Sequence, residues 1–157
     1  DTRWEGFGLA AGAERAAVAT MAALGLPVAG FTISLLGCDD SRIAVLNADF
    51  RGKATATNVL SWPSEDLSGG PPGVLPTKPL PGDSDDPWCL GDIALAWDTC
   101  EAEALAQGKP MGDHVTHLIV HGTLHLLGYD HQHEADADLM ETTERRILAS
   151  IGVADPY

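Results

Sequence analysis

All six histidines of the chain, His114, His117, His121, His125, His131 and His133, fall between residues 114 and 133. Even scatter would place fewer than one in a window of that length, so the cluster needs a chemical reason. His117, His121 and His125 follow one another at i, i+4, a spacing that aligns them as one stripe on a helix. The residues around them (Val115, Leu118, Ile119, Val120, Leu124, Leu126, Leu127) are apolar. The stripe therefore lies on a helix that is otherwise buried, where imidazoles without partners are costly. Either the histidines form a metal-free core network or they face a pocket.

His121, His125 and His131 read H-x3-H-x5-H, with Gly128 as the turn that brings the third imidazole back beside the first two. Three neutral imidazoles that leave a fourth position open are the donor set of a catalytic zinc site; structural sites close with a fourth ligand, usually cysteine. We therefore expect one Zn2+ per chain, held by His121, His125 and His131. The H-E-x-x-H-x-x-G-x-x-H zinc proteases share this spacing, which makes a metalloprotease-like hydrolase the rival reading. Gly122 stands where those enzymes carry the glutamate that activates the zinc-bound water, so their base is missing here. A glycine inside a helix costs about 1 kcal/mol relative to alanine, which close packing or room at the metal would justify. His117, one turn earlier, is expected to support the site rather than ligate. His114 and His133, near the ends of the segment, are expected at the solvated surface. Asp130 either orients His131 or a metal-bound water, or caps the turn.

The elements that must position these residues follow from periodicity and punctuation. Val18, Met21 and Leu24 predict a first helix over 9–25, stopped by Gly25 and Pro27. A strand is expected from Val28 to Leu36. A second helix follows, capped from Asp39, Asp40 and Ser41, with Ile43, Leu46 and Phe50 inward and Gly52 past its end. Thr57–Trp62 and Trp88–Trp97 read as two more strands. Residues 63–87 between them hold seven of the ten prolines and read as one long surface loop. Asp98 is the expected cap of a helix over Thr99–Gln107, the histidine helix spans Asp113–Leu127, and a last helix spans Glu134–Ile151 with Leu139, Met140, Ile147 and Leu148 inward. The predicted class is α+β, a small mixed central sheet flanked by helices with the metal site on the central histidine-bearing helix.

The chain has 157 residues, 45% hydrophobic and 20% charged, which suits a single domain over 1–157 and excludes disordered, collagen-like and coiled-coil classes. No stretch approaches the about 20 apolar residues of a membrane helix. With three cysteines (Cys38, Cys89, Cys100) far apart and in no metal spacing, we expect ordinary thiols in a reducing compartment and a soluble, cytoplasmic protein with no membrane partner. The chain opens at Asp1, and an upstream strand is expected to precede it. Its net charge of −14 repels nucleic acid globally, so any nucleic-acid role must rest on a local site.

The run His121-Gly-Thr-Leu-His125-Leu-Leu-Gly128-Tyr129-Asp130-His131 resembles the signature of the YbeY family, bacterial metal-dependent endoribonucleases and rRNA maturation factors. Other segments agree in order: Leu46-Asn47, Phe50-Arg51-Gly52-Lys53, Thr57-Asn58-Val59-Leu60-Ser61-Trp62-Pro63, Leu90-Gly91-Asp92-Ile93 and Asp155-Pro156-Tyr157. The likeness covers most of 28–157; Phe50 and Trp62 replace a frequent tyrosine and phenylalanine, and the 64–87 loop is longer and richer in proline. The resemblance implies a zinc-dependent, single-strand-specific endoribonuclease acting in 3′-end processing of small-subunit rRNA and in ribosome quality control. Its implied partners are rRNA, small-subunit ribosomal proteins and assembly factors, and it places Arg51 facing the cleft.

A phosphodiester gains charge on its nonbridging oxygens under attack, so cleavage needs an activated nucleophile and nearby positive charge. Zinc at His121, His125 and His131 would supply the first as a metal-bound water or by polarising phosphate, with the substrate 2′-hydroxyl as the other candidate nucleophile. Arg51 offers a planar fork for phosphate. Lys53 and Arg42 join it to put three of the nine basic residues within 42–53. Asn58, with Thr57 and Ser61, either lines the cleft or serves the strand edge. Asp92 either accepts from a ligand histidine or Arg51, or closes a strand-end turn. The alternative function is a ribosome-assembly factor whose metal is mainly structural, for which an acidic surface suits docking to basic ribosomal proteins.

Overall fold

Strand and helix signals alternate without a repeating βα unit, and the chain resolves them into one three-stranded sheet with helices on both faces. The computed structural model describes all 157 residues. In chain order the elements are α1 (Arg3–Phe7), α2 (Leu9–Ala23), β1 (Phe31–Cys38), α3 (Asp40–Arg51), β2 (Val59–Pro63), β3 (Trp88–Ala96), α4 (Trp97–Gln107), α5 (Met111–Leu126) and α6 (Glu134–Ser150). β3 is central, parallel to β1 and antiparallel to β2. The class is the expected α+β with a mixed sheet. No helix is long and apolar enough to cross a membrane.

Side-chain alternation divides the core. Leu60, Ala94 and Ala96 join Ile43 and Cys38 on the α3 side, while Ile93 and Leu95 join Val120, Leu124, Leu126, Met140 and Ile147 on the α5 side. One irregularity interrupts the alternation. From Thr32 to Ser34 β1 advances two residues while its partners on β3 advance from Cys89 to Asp92. The extra residue is a β-bulge at Gly91, whose φ of +146° suits glycine. Because of it Leu90 and Ile93 face the same core.

Several boundaries differ from expectation for identifiable reasons. A short α1 precedes the first helix, joined to it by Gly8 in the left-handed region. Trp4 of α1 is buried, donating its indole N–H to Cys38 O at 2.9 Å. β1 starts at Phe31 rather than Val28, because Gly30 at φ +91° turns the chain just before it. Asp39 caps α3 as expected, accepting from Arg42 N–H. Asp98, however, does not cap α4. The helix starts two residues earlier, at Trp97, Asp40 accepts from Thr99 N–H at 3.0 Å, and Asp98 accepts from Asp40 N–H and pairs with Arg3. Phe50 is not inward but 64% exposed, since α3 runs past the sheet at its last turn. Residues 64–87 contain no helix or strand, yet they are not solvated throughout: Leu67 is buried and its carbonyl accepts from Thr77 N–H.

Candidate metal centre

α5 is the most buried helix of the fold, packed against α2, α4, α6, β2 and β3. Its sheet-facing side is set by Gly122, where an added Cβ would sit 3.2 Å from Ile93 Cδ1. That close approach accounts for a helix-interior glycine where the zinc proteases carry glutamate. One face round, His117, His121 and His125 line up as their spacing predicted, between the sheet and α6.

Three turns of geometry then place His131. Leu127 ends the helix, Gly128 follows at φ +97°, and the turn closes with Tyr129 N–H donating to Leu124 O. Asp130 accepts from the N–H groups of His131 (2.6 Å) and Gln132 (3.2 Å), so its role is to cap the turn that presents His131. The ring centroids of His121, His125 and His131 lie 4.6, 5.1 and 5.5 Å apart. Each ring offers a nitrogen within 4.8 Å of the nitrogens of the other two. Gly128 tolerates no side chain, because a Cβ there would lie 2.6 Å from the Leu67 carbonyl carbon. Gly128→Ala is expected to cost about 2 to 3 kcal/mol in strain and to weaken metal binding by displacing His131. Thermal melts and a metal titration check this; unchanged values in both would contradict it.

The residue that organises the site was not singled out by sequence. Glu144 of α6 is fully buried, and its carboxylate accepts from His117 Nε2 (2.7 Å), His121 Nδ1 (2.6 Å) and the Tyr157 hydroxyl (2.7 Å). Burial alone pushes the Glu144 carboxyl up, but the hydrogen bonds from His117, His121 and Tyr157 outweigh it and hold it at about 2. An ionised Glu144 fixes the tautomer of His121: the proton sits on Nδ1 and the lone pair on Nε2, which points to His125 Nε2 at 3.0 Å. The same contact pushes the Tyr157 hydroxyl up after burial. His125 is driven down to about 4, first by burial and then by His121 and His131, and is neutral as a ligand must be.

Two donor groups have metal-binding proximity, His121/His125/His131 and His117/His121/Glu144. In the second, Glu144 is enclosed and already accepts three hydrogen bonds. In the first, His131 is exposed and the ring nitrogens converge without a carboxylate committed elsewhere. The first set fits a metal ion with an open coordination position; His117 shares the Glu144 carboxylate with His121.

Both pKa shifts act in one direction on the stability of the metal-free chain. The unfolded chain binds a proton at His125 near pH 6.5 and the folded chain only near 4, so stability falls as pH falls across that interval. Glu144 extends the loss from pH 4.5 to about 2. Each contributes on the order of 3 kcal/mol. We expect the urea midpoint of metal-free protein to drop steadily below pH 6.5, with the lower limb flattened in Glu144→Gln. A midpoint constant from pH 7 to 4 would contradict the His125 environment.

Other candidates lie elsewhere. His114 is not solvated: it is buried, with Nε2 3.0 Å from a Glu103 oxygen. His133 is exposed at the start of α6. Asn58 donates to Glu103 and accepts from Val59 N–H, which fixes the start of β2. Asp92 is exposed on β3, paired in register with Trp62, and bonds to neither a histidine nor Arg51. Arg51 and Lys53 are exposed at the end of α3, and neither side chain makes an ion pair.

Comparison with known proteins places this geometry. The family model described as Endoribonuclease YbeY matches residues 9–152. The protein named endoribonuclease YbeY in Cereibacter sphaeroides is 62% identical over 157 residues, covering 100% of this chain and 94% of that one. Its namesake in Dinoroseobacter shibae is 56% identical, covering 100% and 86%. The solution structure of TM1509 from Thermotoga maritima shares the fold with a TM-score of 0.51 at 18% identity, over 91% of this chain and 83% of that one.

Proposed function

This chain belongs to the YbeY family of endoribonucleases, and from that premise we propose that it is a zinc-dependent, single-strand-specific endoribonuclease that matures the 3′ end of small-subunit rRNA and serves ribosome quality control in the cytoplasm. The observation that carries the metal-dependent part is the convergence of His121, His125 and His131 with Glu144 holding the protonated nitrogen of His121. When bound there, zinc supplies Lewis acidity toward phosphate oxygen and lowers the pKa of a water. His121 and His125 act as neutral donors, and Glu144 keeps the ring of His121 from turning. His131, at the exposed edge, leaves one side open to substrate.

Arg51 binds the nonbridging oxygens of the scissile phosphate through its fork, where charge builds during displacement at phosphorus. Lys53 guides the neighbouring backbone. Asn58 and Asp92 act in the framework and at the sheet surface rather than on phosphorus. Ribosomal proteins of the small subunit and assembly factors are the partners we assign to the acidic remainder of the surface. The net charge of −14 favours a second reading, in which docking to basic ribosomal proteins is the main task and the metal is structural.

Cleavage of a 5′-labelled RNA, single-stranded and annealed to its complement, separates these. We expect the single strand to be cut and the duplex spared, with Arg51→Ala slowing cleavage about a hundredfold at unchanged circular dichroism. No cleavage by zinc-loaded protein would favour the assembly reading, and a wild-type rate in Arg51→Ala would remove Arg51 from the site.

A further inference from the structure

Phe50 is a large aromatic residue left 64% exposed on the last turn of α3. It is not an isolated apolar side chain. Its ring meets Trp62 of β2 in an edge contact with centroids 5.1 Å apart at 60°, and most of the Phe50 surface stays open to solvent. Trp62 is itself anchored, packing against the small core cluster of Ile43, Leu60 and Ala94. The result is a fixed aromatic step at the edge of the sheet.

The surroundings identify what fits it. Residues 42–53 carry Arg42, Arg51 and Lys53 against a single carboxylate, Asp49, a local +2 in a chain whose total is −14. None of the three cations has an ion-pair partner. Arg51 follows Phe50 directly, and Gly52 at φ +70° turns the chain so that Lys53 comes next to the same helix end. An exposed aromatic ring beside unpaired cations is the arrangement that stacks an unpaired base while its phosphates meet positive charge.

The step stands on the α3 face of the edge strand, and only its main chain adjoins α5. At the bulge, a side chain on Gly91 would collide with both the Trp62 carbonyl oxygen and Leu126 Cδ2. The Trp62 main chain, not its ring, thus adjoins Leu126 of α5 across the glycine backbone. Asp92, the register partner of Trp62 on β3, is exposed.

We propose that Phe50, braced by Trp62, is a base-stacking platform for single-stranded RNA, with Arg51 and Lys53 holding the phosphates next to the stacked base. This rests on the RNA reading above and deepens it by naming the subsite and the part of the nucleotide it takes. Stacking tolerates any base but requires one, so the subsite gives strand selectivity without sequence selectivity: a base paired in a duplex cannot reach Phe50.

Stopped-flow anisotropy of a labelled uridine decamer, read before cleavage, tests the proposal on the zinc-loaded chain. Phe50→Ala should weaken binding about tenfold or more, while Phe50→Tyr stays within about threefold. The loss should vanish with an abasic decamer of the same charge, because no base remains to stack. The slope of log affinity against log salt should be unchanged in Phe50→Ala and should shrink by about 0.7 in Arg51→Ala and in Lys53→Ala. Phe50→Ala bound as tightly as the unsubstituted chain, or weakened equally on abasic RNA, would overturn the platform alone. Failure of the unsubstituted chain to bind either decamer would overturn it together with the RNA reading.

Discussion

His125→Ala should abolish stoichiometric metal binding and lower RNA cleavage by about a thousandfold, the upper end of what one well-placed electrostatic group is worth, without lowering the stability of the metal-free chain. The expectation follows from what His125 does in the fold. Its Nε2 meets His121 Nε2, a contact between two prospective ligand atoms rather than a structural link, and its other polar partner is main chain, at Tyr129. Burial first, and then the neighbouring His121 and His131, hold its imidazole neutral down to about pH 4. Removing it deletes a ligand and also an acid-labile group. At pH 5 the metal-free variant should therefore be as stable as the unsubstituted chain or more so, while at pH 7 it binds no metal. Thermal melts at both pH values, beside elemental analysis and a cleavage assay, check this. Loss of stability in parallel with loss of activity would mean that His125 is a core residue and that the histidines form a network without a metal.

The second large effect is expected at Glu144. Glu144→Ala leaves two imidazole N–H groups without an acceptor around an empty place and releases the Tyr157 hydroxyl, and unsatisfied buried donors cost about 1 to 3 kcal/mol each. Because Tyr157 can swing to solvent, a total of about 3 to 5 kcal/mol is expected, the scale seen when one partner of a buried charged cluster is removed. Glu144→Gln preserves the volume and should keep most of the stability. Its amide cannot accept from all three donors, however, so His121 loses its fixed tautomer and metal affinity should fall by about 10- to 100-fold. Urea denaturation measures the first effect and competition with a chromophoric chelator the second. Tyr157→Phe removes one donor and should move both quantities in the same direction by less. If Glu144→Gln bound metal as tightly as the unsubstituted chain, the carboxylate would be a packing feature and not part of the centre.

The asymmetry between these residues shows what could be read in the chain before its fold was known. His117, His121 and His125 are spaced by helical turns, and Gly128 lies between them and His131, so a local rule was enough to bring all four together. Glu144 is 23 residues from His121 in sequence, and only packing of α6 on α5 joins them. A signal for it did exist. The inward series of α6 runs Met140, Glu144, Ile147, Leu148, and a carboxylate in an apolar series needs a partner. Near a histidine helix, that partner is an imidazole.

His114 failed for the complementary reason. A position near a helix end is solvated only when no other element covers it, and α4 brings Glu103 onto it. The cap of α4 failed likewise, since the carboxylate that meets Thr99 N–H belongs to Asp40 of α3. Phe50 continued an i, i+4 series from Leu46 that the sheet was too narrow to cover. Class, the sequence of elements along the chain and the metal motif are local or periodic and were legible; the partners that complete the site are set by which elements pack together.

The central claim is that His121, His125 and His131 hold a metal on which RNA cleavage depends. Its most direct test is elemental analysis of the purified chain alongside cleavage before chelation, after chelation and after zinc is restored. The expected result is about one zinc per chain, activity lost on chelation and regained with zinc. Full cleavage by a chain stripped of metal, or a chain that binds none, would contradict it.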